Sequence, residues 1–259
     1  MHAKNPLAAV IAVWIATTLA IVSAAAEDAG VRQSAPPAPP SPSAPLPINH
    51  NDTGFVSIFN GQDLNGWDGD PVYWRVENGS LVGEVTPETL IKYNRFIIWR
   101  GGTPRDFELK AEYRISPKGN SGINYRSEEL PDVKWVMRGY QADIDGANIH
   151  TGQNYEERGR TFLAKRGQFV HADDSGRREI ATLGTSQDLA AQAIKPGDWN
   201  EYHLIVRGNL MVHLINDRVM SEVLDDDTAN RKMEGKLGFQ VHVGPPMKVE
   251  FRNIRLKPL

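Results

Sequence analysis

A chain of 259 residues with a formal net charge of -3, 40% apolar and 24% charged residues is long enough for one globular domain with its own core. It has no basic excess and no Lys/Arg block, which sets nucleic acid aside as a partner. It has no cysteine, which removes disulfides, thiolate nucleophiles, cysteine-zinc sites and a lipoprotein anchor together.

The chain opens on an export pattern. Lys4 precedes an almost wholly apolar run from Leu7 to Val22, and Ser23-Ala24-Ala25-Ala26 offers small residues for cleavage before Glu27. Residues 1–26 therefore read as a signal peptide, with an uncleaved anchor as the alternative. Residues 27–52 form a Pro/Ser/Ala-rich linker whose core, Gln33 to Pro47, is expected to be an extended tether. The folded domain is expected over residues 53–259, in the periplasm or outside the cell, with no stable membrane association after cleavage.

Gly54 to Phe59 predicts a short strand and Asn60-Gly61-Gln62-Asp63 a turn. Tyr73 to Val76 and Ser80 to Gly83 flank Asn78-Gly79 as a hairpin. Phe96 to Trp99 is a further run, and Asp106 to Ile115 alternates apolar and charged residues as a strand with one wet face does. Asn120 to Arg126 and Trp135 to Ile144 predict two more strands, the second placing Gln141 and Asp143 on one face. Asp145 to Gly159 reads as a long irregular segment, and a loop of that length inside a domain is usually functional or disordered. Phe162 to Arg166 and Gln168 to Ala172 read as a hairpin around Gly167, and Thr185 to Ile194 is the one plausible short helix. Trp199 to Val223 predicts three antiparallel strands. At the end, Lys236 to Val243 and Lys248 to Leu256 read as a hairpin-like pair around Gly244-Pro245-Pro246, the second run with a bulge near Arg252-Asn253. In the first run Leu237, Phe239, Val241 and Val243 point one way, so Gln240 and His242 share the other face. Many short strands with almost no helix predict an all-β sandwich.

Seven segments in this order resemble the 3-keto-disaccharide hydrolase family: Phe59 to Trp67 (FNGQDLNGW), Trp74 to Gly79, Asp106 to Leu109, Gly119 to Ile123, Tyr140 to Asp143, Asp198 to Tyr202 and Phe251 to Arg255. The resemblance spans Gly54 to Leu259. It implies a concanavalin A/laminarinase-like jelly-roll sandwich of two antiparallel sheets, with a carbohydrate substrate, a 3-keto-glycoside or 3-keto-disaccharide, on one face. A ketone at C3 of a sugar acidifies the hydrogen on C2. A base can remove it, and the C1 oxygen then leaves by β-elimination, with water able to add back. Such a site needs a base, an acid and a donor for the oxyanion.

His242 is the expected base, because its ordinary pKa lies near neutrality, with a metal ligand or a solvated outer-face histidine as the alternatives. Asp143 is its expected partner, to orient it, to hold a metal or to take the proton itself. Gln141, Gln240 and Arg126 are the expected sugar or oxyanion contacts, with Arg126 alternatively paired to Glu128 or Glu129 at the surface. Glu156 and Arg158 lie in the long loop, where they could close over a ligand or stand as solvated charges. Trp135 and Trp99 are candidate stacking platforms, while Trp67, Trp74 and Trp199 read as core. Asn120 and Ser121 read as a turn, His150 as a loop histidine without a partner, and Asp225-Asp226-Asp227 as a solvated turn. No motif demands a cofactor, although a divalent metal (Ca, Mg or Mn) chelated by the C3 carbonyl and C2 hydroxyl would stabilise the enolate. The rivals are a non-catalytic lectin-like module, a glycosidase with paired carboxylates about 5 to 9 Å apart, and a structural surface protein.

Overall fold

Strand after strand in this chain carries apolar side chains at every second position, and each of them has one face to bury. The computed structural model describes residues 52–259, so the expected signal segment and all but the last residue of the linker lie outside the described residues. In chain order the elements are β1 (Val56–Ser57), β2 (Trp67–Asp68), β3 (Trp74–Glu77), β4 (Ser80–Val85), β5 (Arg95–Trp99), β6 (Phe107–Ile115), β7 (Asn120–Glu129), β8 (Met137–Asp145) and β9 (Asn154–Glu157). They continue with β10 (Thr161–Ala164), β11 (Gln168–Asp173), β12 (Gly176–Thr182), α1 (Ser186–Ala193), β13 (Asn200–Arg207), β14 (Leu210–Ile215), β15 (Arg218–Asp225), β16 (Lys236–Val241) and β17 (Met247–Pro258).

Two sheets result. One has the order β12-β11-β15-β14-β13-β6-β17-β4-β3 with β1 added on β17; the other runs β10-β9-β8-β7-β16-β5-β2. They pack as the expected jelly-roll sandwich, with a core that includes Leu109, Tyr113, Tyr125, Tyr140, Leu204 and Phe251. Phe239 of β16 and Phe251 of β17 meet with ring centroids 4.2 Å apart, each on the inward face of its own sheet. Every pairing is antiparallel except β11 with β15, which is parallel from Phe169 opposite Glu222 to Ala172 opposite Asp225.

Local chemistry explains the elements that the sequence predicts well. Asn78 and Gly79 both have positive φ (50° and 77°), the geometry of the tight turn that joins β3 to β4. Thr185 caps α1, its hydroxyl accepting from the Asp188 amide, and Leu189 and Ala193 are the buried side of that helix. The bulge in the last strand falls between Arg252 and Arg255, with Asn253 at φ 50°.

Two expected hairpins are instead crossings between sheets. β16 pairs with β5 and β7, whereas β17 pairs with β4, β6 and β1, so Gly244-Pro245-Pro246 carries the chain from one layer to the other. β10 pairs with β9 and β11 with β12 and β15, so Gly167 sits in a second crossing. The segment from Asp145 to Gly159 is not irregular throughout: Asn154–Glu157 is strand β9, paired with β8. Before it, the Asp145 carboxylate accepts from the amides of Ile149, His150 and Thr151, which closes a tight turn.

Candidate active site

The outer face of the seven-stranded sheet holds a cleft of about 390 Å³, lined by residues from β7, β8 and β9, the turn before β9, and the segments flanking β5 and β16. Period two puts the right side chains there. Asp143 lies opposite Gly122 of β7, and Gln141 lies opposite Asn124 on one side and Tyr155 of β9 on the other. Tyr155 and Glu157 face the cleft, while the intervening Glu156 does not line it.

A hydrogen-bond chain crosses this face. Gln240 Nε2 donates to Gln141 Oε1 at 2.9 Å, and Gln141 Nε2 donates to Asp143 Oδ1 at 2.8 Å. It depends on a missing side chain: a Cβ on Gly122 would lie 2.6 to 2.9 Å from Gln141 Cγ, Cδ and Nε2, so Gln141 occupies the space over that glycine. Gln240 is fully buried and reaches the cleft through Gln141, whereas Gln141, Asp143 and His242 line it directly.

Burial drives the acid–base character of the site. Asp143 is 7% exposed, and its desolvation pushes the carboxyl up to about 8; Asp145 and Glu157 add to the rise, against the pull of the Gln141 hydrogen bond. Glu157 is raised for the same first reason and accepts from Asn94 Nδ2 at 3.2 Å. Asn94 in turn accepts from the Val243 amide at 3.0 Å and so links β9 to the segment just past β16. His242 stands one residue past the end of β16. Its desolvation lowers the imidazole pKa, and its Nδ1 lies 2.5 Å from Val243 O. A carbonyl only accepts, so Nδ1 carries the proton and Nε2 keeps its lone pair free.

Sequence reasoning and structure part at several residues. Asp143 bonds to Gln141, and no hydrogen bond joins it to His242 among those the structure shows. Arg126 points away from the cleft: its guanidinium donates to Arg105 O, Gly208 O and Lys232 O and pairs with Asp106. Glu156 is buried against Arg160, which also bonds Asp225 and Asp227, so that acidic run is a partly buried ion network and not a solvated turn. Trp135 donates its Nε1 hydrogen to Asp68 in a separate polar patch with Lys134 and Arg100. Trp99 lines a groove next to Leu256 and Leu259, away from the cleft residues. Trp67 and Trp74 are core, but Trp199 lies between the guanidiniums of Arg114 and Arg252, 4.8 and 3.9 Å from its ring.

Residues to which the sequence assigned no site role also line or support the cleft. Asn120 begins β7 instead of forming a turn, and Ser121 donates to Gln240 O at 2.6 Å. His150 stacks on Phe162 with centroids 5.6 Å apart, and its Nδ1 is buried without a hydrogen-bond partner. The signal for Tyr155 and Glu157 was period two in a four-residue strand, too short to stand out from a loop. Among the described residues no group of three or more His, Asp or Glu side chains is placed to hold a metal ion.

The sequence model of the 3-keto-alpha-glucoside-1,2-lyase-like domain matches residues 54–257. A 3-keto-disaccharide hydrolase of Bacteroides thetaiotaomicron is 26% identical, over 83% of this chain and 81% of that protein. A crystal structure of a candidate glycosyl hydrolase from Parabacteroides distasonis superimposes with a TM-score of 0.53 at 18% identity, covering 79% of this chain and 99% of that one. A Bacillus subtilis protein with a galectin-like fold superimposes with a TM-score of 0.50 at 14% identity, over 75% and 90% of the two chains. These two structural likenesses concern the fold.

Proposed function

This chain belongs to the 3-keto-alpha-glucoside-1,2-lyase-like family, and from that premise we propose that it acts outside the cytoplasm on 3-keto-glycosides, cleaving the glycosidic bond by C2 proton abstraction and β-elimination. One observation carries the reading: the same cleft holds an imidazole kept neutral and a carboxyl kept protonated, each by its own burial. His242 Nε2 takes the C2 proton. The electron pair of that C–H bond forms the C1–C2 double bond as the C1–O bond breaks, and the C3 carbonyl oxygen carries the developing negative charge. The Asp143 carboxyl, still protonated near neutrality, supplies a proton to the departing oxygen or a hydrogen bond to the oxyanion. Gln141 fixes its direction from Oδ1 and leaves Oδ2 to the ligand. Addition of water across the new double bond gives the 3-keto sugar, so elimination followed by hydration equals hydrolysis. The expected arrangement, with Asp143 orienting His242, gives way here to an acid and a base acting on separate atoms.

The test is aglycone release from a 3-keto-glucoside and from its unoxidised parent. We expect release from the keto form only, with deuterium at C2 of the hydrated product in heavy water. Release from the parent would favour a carboxylate pair, Asp143 with Glu157, as an ordinary glycosidase. Binding of the parent with no release from either would make the cleft a lectin site.

A further inference from the structure

Glu157 and Arg158 line two depressions at once. On one side is the cleft just described; on the other is an annex of about 410 Å³ formed with Arg138, Arg160 and Lys232 and with bare backbone at Gly139 and Gly159. The Lys232 ammonium stands apart from the ion pairs that border it. Arg160 is neutralised by Glu156, Asp225 and Asp227, and Arg138 by Glu128 at 2.6 Å. Arg158 has a looser partner, Glu157 at 3.9 Å, and burial pushes that carboxyl towards its neutral form. The Lys232 ammonium has no ion pair or hydrogen bond among the described residues, although the residue is half-buried; only its backbone is bonded, to the Tyr140 hydroxyl and to Arg126. One cation without a counter-ion and one with a loose partner therefore border a polar depression that shares its Glu157–Arg158 wall with the cleft. An ammonium without a partner leaves its donors open to an anionic ligand.

We propose that this annex is the aglycone subsite, and that Lys232 and Arg158 select 3-keto-glycosides whose aglycone or second sugar carries a carboxylate. The proposal rests on the reading of the cleft as the place where the C1–O bond breaks. The leaving group departs towards the wall that Glu157 and Arg158 share, and an anionic substituent on it reaches the annex. A charge-assisted hydrogen bond to a half-buried cation contributes about tenfold in affinity.

The experiment compares 4-carboxyphenyl and 4-carbamoylphenyl 3-keto-glucosides, which differ by one charge at one end, with the intact protein and with Lys232→Gln and Lys232→Arg. We expect a lower KM for the carboxylate in the natural protein and loss of about tenfold of that advantage in Lys232→Gln. The advantage should return in Lys232→Arg and shrink with added salt. Release of both phenols with equal KM, or a KM change in Lys232→Gln that is the same for both, overturns the annex and leaves the cleft reading standing. Release of neither phenol overturns the cleft reading and the annex with it.

Discussion

Asp143 and His242 titrate in opposite senses because the same burial acts on a group that is charged when deprotonated and on one that is charged when protonated. If His242 must be neutral and Asp143 protonated, kcat/KM follows a bell. Its acid limb lies below 6.5, the ordinary value from which His242 is lowered, and its alkaline limb falls near about 8. Asp143→Asn should remove the alkaline limb and keep the acid one; survival of the limb at its place would assign it to another group. The same shift governs stability. The folded chain holds the Asp143 proton more tightly than the unfolded chain does, so the stability the acid form contributes is fully present below about 3.8 and lost as pH rises through about 8. Thermal unfolding should therefore show Asp143→Asn gaining on the natural protein as pH is raised across that window. A constant difference would mean that the carboxyl is not perturbed by folding. Gln141, Asp143, Gln240 and His242 were legible in the sequence because pairs two apart in a strand share a face. Glu157 and Asn94 were not, since neither position is marked as part of a strand or a partner until β9 and β5 are placed in one sheet, with three strands between them, and Asn94 reaches Glu157.

At the scale of the strand, Gly122 decides whether the polar chain across β16 and β8 can form. Its φ lies outside the left-handed region, so alanine fits the main chain there, and the three atoms nearest an added Cβ all belong to the Gln141 side chain. Gly122→Ala should leave folding nearly intact and push Gln141 off its bonds to Gln240 and Asp143. Asp143 would then lose the hydrogen bond that holds its pKa down, so the alkaline limb should move upward while activity falls about tenfold. A double-mutant cycle checks the route: Gly122→Ala and Gln141→Ala should each cost about the same, and together no more than either alone. Additive losses would mean that Gly122 matters for some other contact. Strand faces read true here because alternation is a local property. Strand partners did not, because an inward-facing apolar residue looks the same whether the next strand lies beside it or across the core. That is why Gly167 and Gly244-Pro245-Pro246 read as hairpin corners although each carries the chain between sheets, and why the parallel β11–β15 pair that follows from one such crossing was unforeseen.

Across the whole molecule the sheets are tied by buried polar clamps as well as by apolar packing, and Arg126 is the clearest of these. By parity with Asn120, Gly122 and Asn124 it belongs on the outer face, beside the cleft. A bulge between Tyr125 and Glu128, with Arg126 itself at φ 44°, turns the side chain off that face. The guanidinium then reaches the carbonyls of Arg105, before β6, and of Gly208, between β13 and β14, so one residue of the seven-stranded sheet holds the ends of neighbouring central strands of the other. No sequence pattern announces a left-handed arginine, so the expectation of a sugar contact had no means of seeing this geometry. The two roles predict opposite measurements. As a clamp, Arg126→Met leaves the carbonyls of Arg105 and Gly208 without the guanidinium, and Asp106 with only the Gly208 amide, and should cost about 3 kcal/mol in urea unfolding. The fraction that remains folded should keep the KM of the natural protein, since no atom of Arg126 lines the cleft. As a sugar or oxyanion contact, the same substitution would raise KM or lower kcat with the unfolding midpoint unmoved, and that result would require the side chain to leave the carbonyls it now holds and swing out to the face the alternation first assigned to it.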